Sequence, residues 1–196
     1  MKLFRVLAST LVAIIILSAL VGTSAAGRLS FSSQTFRAGF VSWKFNGGFG
    51  TTDCALTLEG SLHSRTIAKV AGSLIGYITR AGIGICIGGS ATILTASLPW
   101  HVRYRSFTGT LPNISAVLVN MFGVTFQIRE PTFGITCLAS GGTMNMTYNR
   151  EAGGNLTTAV LGGTSPTNCG IEGTISGTSN SLTVLGGTAR MTVTLI

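Results

Sequence analysis

Apolar and polar residues alternate in steps of two over much of this chain. Cys54, Leu56 and Leu58 interleave with Ala55, Thr57 and Glu59, and Met144, Met146 and Tyr148 interleave with Asn145 and Thr147. Successive side chains of a β-strand point to opposite faces, so each run predicts a strand with one buried face. Ile83, Ile85 and Ile87 are expected on one face, with Gly84, Cys86 and Gly88 on the other. Residues 114–121 and 124–128 are β-branched and aromatic runs separated by Phe122-Gly123, which predicts a hairpin. Met191, Val193 and Leu195 alternate with threonine, so the chain is expected to finish as a strand inside the sheet.

Two stretches depart from this pattern. Residues 27–52 are rich in Gly, Ser, Phe and Thr, with Phe45-Asn46-Gly47-Gly48-Phe49-Gly50 as a turn or loop. Within 66–78, Ile67, Val70, Ala71, Leu74 and Ile78 stand at helical spacing. Gly72 and Gly76 would each cost about 1 kcal/mol in a helix interior, and Ile75-Gly76-Tyr77-Ile78-Thr79 favours a strand; strand is the reading, with a short helix left open. Four prolines and 27 glycines, with short strands broken by glycine, fit an all-β, single-domain, antiparallel β-sandwich or β-barrel.

The first 26 residues stand apart from the β pattern. Lys2 and Arg5 form a positive start, residues 7–20 carry no charge, and Val21-Gly22-Thr23-Ser24-Ala25-Ala26 offers small residues where a signal peptidase reads. Residues 1–26 are therefore expected to be a signal peptide and 27–196 one exported β domain. The apolar run is shorter than the roughly 20 residues of a membrane anchor, so no transmembrane segment is expected after cleavage. Export places the chain, secreted or associated with the cell envelope, where disulfides persist.

That compartment changes the meaning of the four cysteines, Cys54, Cys86, Cys137 and Cys169. An even count predicts two disulfides, and the equal intervals of 32 residues favour Cys54–Cys86 and Cys137–Cys169 among the three possible connectivities. Each loop could contribute roughly 3 kcal/mol. Metal binding fails on spacing: there is no C-x-x-C, and His63 and His101 are isolated in sequence. No metal site and no cofactor is expected.

Without Lys2 and Arg5, 11 of the 13 lysines and arginines remain against five acids, Asp53, Glu59, Glu130, Glu151 and Glu172. The balance of about +6 points to an anionic partner such as an acidic polysaccharide, a lipid headgroup surface or nucleic acid. Ordinary solubilising charge explains it equally, since no run of adjacent basic residues occurs, and no specific nucleic-acid partner is expected. The densest unusual patch is Leu98-Pro99-Trp100-His101-Val102-Arg103-Tyr104-Arg105-Ser106-Phe107. As a strand it puts Trp100, Val102 and Tyr104 on one face and His101, Arg103 and Arg105 on the other, at roughly 7 Å intervals. Such a stripe could follow a line of carboxylates, sulfates or phosphates; equally, it is what a strand with a buried aromatic face presents to water.

The segment from Leu98 to Tyr104, followed by Phe107-Thr108-Gly109-Thr110-Leu111-Pro112-Asn113-Ile114, resembles a pattern in a family of small exported actinobacterial proteins of unknown role. The resemblance covers about residues 54–140 and implies a bacterial secreted origin. It brings no activity and no site residues with it.

Catalytic chemistry has thin support. His63 and His101 are the candidate bases, there is no G-x-S-x-G, and Ser64 beside His63 would point to the opposite face of a strand. A glycosidase needs two carboxylates on one cleft, and nothing in the spacing of the five acids motivates one. The glycine pairs 88–89, 141–142, 153–154, 162–163 and 186–187 lack the lysine and hydroxyl of a phosphate loop and read as turns. Three sequons, at Asn113, Asn145 and Asn155, matter only in a eukaryotic pathway, and Met121, Met144, Met146 and Met191 read as core filler. The expectation is a non-enzymatic binding or structural protein that engages an anionic envelope polymer or surface through His101, Arg103 and Arg105. A carrier of an apolar ligand inside a barrel and a self-assembling surface subunit are the alternatives, with oligomeric state open.

Overall fold

The computed structural model describes residues 27–196 apart from 49, 112, 132–133, 152–153 and 170–171; the signal peptide expected over 1–26 lies outside the described residues. In chain order the strands are β1 (Leu29–Phe31), β2 (Thr35–Gly47), β3 (Gly50–Leu62), β4 (Thr66–Ile67), β5 (Leu74–Ile87), β6 (Ser90–Ile93), β7 (Trp100–Thr110), β8 (Asn113–Phe122), β9 (Phe126–Arg129), β10 (Thr136–Ala139), β11 (Thr143–Arg150), β12 (Leu156–Pro166), β13 (Glu172–Val184) and β14 (Val193–Leu195), with one 3-10 turn at Thr95–Ser97. The Leu98–Pro99 peptide is cis.

Of the two all-β architectures, the chain adopts the barrel. Strands β2, β3, β5, β7, β8, β11, β12 and β13 pair antiparallel in that order, and β13 closes onto β2. Ring order equals chain order, so this is an up-and-down barrel. The remaining strands form two three-stranded sheets, β14-β1-β4 and β10-β9-β6. The first is built from the two ends of the described chain and the β3–β5 connection, the second from the β5–β7 and β8–β11 connections. The meander places these connections at opposite ends of the barrel, so each sheet caps one end.

Period-two alternation sends the apolar side chains inward. Phe36, Ala38, Phe40, Trp43 and Phe45 of β2, Cys54, Leu56 and Leu58 of β3, and Met144, Met146 and Tyr148 of β11 are all buried. The caps complete this core: Phe126 of β9 meets Trp43 and Phe45 edge to face, with ring centroids 4.9 and 5.7 Å apart. Leu29, Phe31, Ile67 and Val193 do the same work from the other cap. Cavities of about 30 Å³ beside Phe45 and Ile128 and about 20 Å³ beside Phe36 and Tyr148 remain, each with room for little more than a water molecule. Outward positions are largely Thr, Ser, Asn and Arg, the reverse of a lipid-embedded barrel. No helix among the described residues is long and apolar enough to cross a membrane.

Both disulfides pair as their spacing predicts. Cys54–Cys86 bridges β3 and β5 directly across the ladder, with Cα atoms 4.0 Å apart. Cys137–Cys169 joins β10 of one cap to the connection between β12 and β13. Two such bonds fit an extracellular or otherwise oxidising setting.

Several local expectations change. Phe122-Gly123 does not turn a hairpin: β8 pairs with β7 and β11, while β9 leaves the barrel to pair with β6 and β10. Ile85 and Ile87 are 86% and 76% exposed, because the β3–β5 register shifts between Cys54 and Leu56 and turns Cys86 inward instead. Gly162-Gly163 lies within β12 rather than in a turn; a Cβ on Gly163 would stand 2.6 Å from the Thr143 carbonyl oxygen. The chain ends at the edge of a cap sheet, not inside the barrel sheet. Over 66–78 there is no helix: β4 and β5 flank a turn in which Gly72 has φ +80°.

Candidate functional site

Strand β7 lies between β5 and β8 in the barrel wall. Trp100, Val102 and Tyr104 point inward at 1%, 2% and 3% exposure, and His101, Arg103 and Arg105 point to solvent. Burial pushes the Tyr104 and Tyr148 hydroxyls above the ordinary phenol range. Pairing with β8 skips from Tyr104 to Ser106, so Arg105 occupies a bulge that interrupts the strict alternation.

Register sets what surrounds each member of the stripe. Tyr77, His101 and Phe122 form one row across β5, β7 and β8. The Tyr77 and His101 rings lie 5.3 Å apart, and His63 extends the row with its ring 5.0 Å from Tyr77. The Arg103 guanidinium stands 5.2 Å from the Phe122 ring centre. One row further along, Arg103 faces Asn120, which faces Asn145 of β11. Arg105 Nη1 donates to Asn145 Oδ1 at 3.4 Å.

Another segment packs along the strand. The turn between β4 and β5 docks along β7, where Gly72 N–H donates to the Tyr104 carbonyl at 2.8 Å and Tyr104 N–H to the Ser73 carbonyl at 2.9 Å. This places Lys69 Nζ 5.3 Å from the Phe107 ring centre. Phe107 packs against the core opposite buried Val117, so this contact sets Lys69 beside the inward face of β7 and not on the stripe; the strip of barrel wall contains His63, Tyr77, His101, Arg103, Arg105 and Phe122.

Sequence reasoning did not join His63, about 40 positions before the stripe, to it. A signal was present: no Asp or Glu occurs between Glu59 and Glu130, whereas Arg65, Lys69, Arg80, Arg103, Arg105 and Arg129 do. Three of the five acids sit elsewhere and neutralise other cations. Glu59, on the β2–β3–β5 side, takes Arg37 at 2.5 Å and Arg80 at 3.4 Å; Asp53 takes Lys44 at 3.9 Å; Glu151 takes Arg190 at 3.2 Å. Arg65 and Arg150 are engaged with backbone carbonyls of Phe31, Val193 and Ile114. Strands β5, β7, β8 and β11 carry no carboxylate side chain, so the strip keeps its positive charge.

Comparison with known proteins returns no match: no family model, no curated protein and no solved structure is similar to this chain.

Proposed function

We propose that this chain is an exported, non-enzymatic binding protein that engages an anionic polymer or surface of the cell envelope, consistent with the bacterial secreted origin its sequence pattern implies. The observation that carries this reading is the one-sided strip of His101, Arg103 and Arg105 on a wall with no carboxylate. Exposed guanidiniums aligned on one rigid wall suit a run of carboxylates, sulfates or phosphates. A carrier function finds little support in an interior whose cavities measure about 30 and 20 Å³. Assembly through strand edges would have to use the short cap strands or the stretch of β5 beyond Ile78, where the ladder to β7 ends and Ile85 and Ile87 are exposed; no basic group of the strip lies on that stretch, and the charge of the strip favours the first reading.

The test is a pull-down of the oxidised exported protein with the washed envelope of the organism that makes it. At about 0.1 M salt the Debye length is about 10 Å, and near 1 M it is about 3 Å, so an electrostatic contact is expected to release at high salt. Arg103→Ala combined with Arg105→Ala is expected to weaken low-salt binding by about tenfold or more. Binding that ignores both salt and this double substitution would overturn the proposal.

A further inference from the structure

The strip offers more than positive charge. Asn120 lies between Arg103 and Asn145 in the ladder, and its Oδ1 is occluded with no hydrogen-bond partner. Asn145 Oδ1 beside it accepts from Arg105. An occluded acceptor left unmatched is unfavourable and rare in folded proteins, and it calls for a donor that the strip's own cations do not supply. The aromatic row His63, Tyr77, His101 and Phe122 borders the same carboxamides.

Resting on the reading above, we infer that the ligand of this strip is a carboxylate-bearing polysaccharide. Such a polymer carries both chemistries that the wall asks for. Its carboxylates accept from Arg103 and Arg105, and its hydroxyls donate to Asn120 Oδ1 while the C–H faces of its rings rest on Tyr77 and Phe122. Asn120 Oδ1 is occluded, so a sugar hydroxyl reaches it only if a side chain over it moves; that movement is assigned to Arg103, which faces Asn120 in the ladder and rests on Phe122, when its guanidinium turns to a ligand carboxylate. A phosphate chain offers acceptors alone and leaves Asn120 unmatched.

The full oxidised protein is titrated with polygalacturonate, linear polyphosphate, an oligothymidylate and phosphatidylglycerol vesicles, at equal concentrations of anionic groups. Polygalacturonate is expected to bind about tenfold more tightly than polyphosphate. Asn120→Ala is expected to weaken polygalacturonate binding about tenfold and to leave polyphosphate within about twofold. Equal or tighter binding of polyphosphate, the oligonucleotide or the vesicles overturns the inference, as does an Asn120→Ala variant that binds polygalacturonate unchanged. If Asn120→Ala loses the native thermal transition, Asn145→Ala replaces it, and the ranking of probes on the unsubstituted protein still decides. Arginine-dependent binding without a preference for polygalacturonate defeats this inference alone. Loss of no binding on Arg103→Ala with Arg105→Ala, or no binding of any probe, defeats the reading of the strip as well.

Discussion

The two disulfides close loops of identical sequence separation, 32 residues each, which turns the chain into its own control. In the chain-entropy account a loop of that length restricts the unfolded state by about 12 cal/mol/K, or about 3.7 kcal/mol at room temperature, and by the same amount for both bridges. What differs is the native environment. Cys54 is 1% exposed in the barrel wall and faces Cys86 directly across β3 and β5. Cys137–Cys169 instead ties the β10-β9-β6 cap to the barrel rim. Cys54→Ala with Cys86→Ala removes both the constraint and a packed sulfur, so a loss of about 4–5 kcal/mol is expected. Cys137→Ala with Cys169→Ala is expected to lose about 3–4 kcal/mol and to speed amide exchange selectively at residues 126–128, where Phe126 and Ile128 pack as the cap's inner face. Guanidinium melts followed by the fluorescence of buried Trp43 and Trp100 give both losses. A loss under about 1 kcal/mol for the barrel pair, at unchanged denaturant sensitivity, would refute the argument, as would accelerated exchange spread evenly over β2 to β13 in the cap variant.

Gly76→Ala would set a Cβ 2.3 Å from the Ser61 carbonyl oxygen and 3.0 Å from the Leu62 Cα, both backbone atoms of the adjoining strand, so a loss of about 2 kcal/mol or more is expected in a thermal melt. Gly82→Ala, with nothing within 4 Å of its Cβ, is the control and should change stability by about 0.5 kcal/mol or less; equal melting of the two variants would contradict the close approach. Raising the phenol pKa of Tyr104 and Tyr148 in the folded state above the usual 10.0 fixes the sign of an alkaline effect. Below about pH 10 both states hold the proton; above it the unfolded chain ionises first, so stability should fall by up to about 1.4 kcal/mol per pH unit for each tyrosine. Tyr148→Phe should flatten that decline, and denaturant midpoints that stay level past pH 11 would count against it.

Local chemistry made part of this fold legible. The strict alternation from Trp100 to Tyr104 placed the stripe on its solvent face, and the equal spacing of cysteines matched their pairing. What the sequence concealed was non-local. Phe122-Gly123 has the composition of a hairpin turn, yet β8 finds better partners in β7 and β11, and β9 is needed to seal the barrel end with Phe126. A bulge of one residue sends Ile85 and Ile87 outward, because every position beyond it changes face. Gly162-Gly163 serves close approach between strands, a requirement set by neighbours that sequence order does not reveal. His63 reaches the strip only because the chain leaving β3 stays bonded to β5, its N–H donating to the Ile75 carbonyl, and such bonds leave no trace in side-chain pattern.

Closure has a consequence for how this protein can meet a ligand. With apolar side chains filling the barrel and a cap on each end, the proposed recognition would fall to the outer wall, which is convex. A broader groove of about 470 Å³ lies between Val41, Lys44, Val160 and Asn180 on the β12–β13–β2 side, across the ring from β7, and there Lys44 is already held near Asp53. On the β7 side His101, Arg103 and Arg105 are exposed, with Tyr77 and Phe122 half-buried beside them. A compact molecule touching a convex wall would meet one or two groups at a time, whereas the proposed extended polymer would meet His101, Arg103 and Arg105 together and gain from each at a single cost in translational freedom. Around His101 and Arg103 the wall is paired on both sides, β7 with β5 and with β8, so little order need be gained there on binding. That geometry favours a long, repeating, negatively charged partner over a small ligand, and it makes affinity depend steeply on ligand length: short fragments of the same polymer should bind far more weakly than the intact chain.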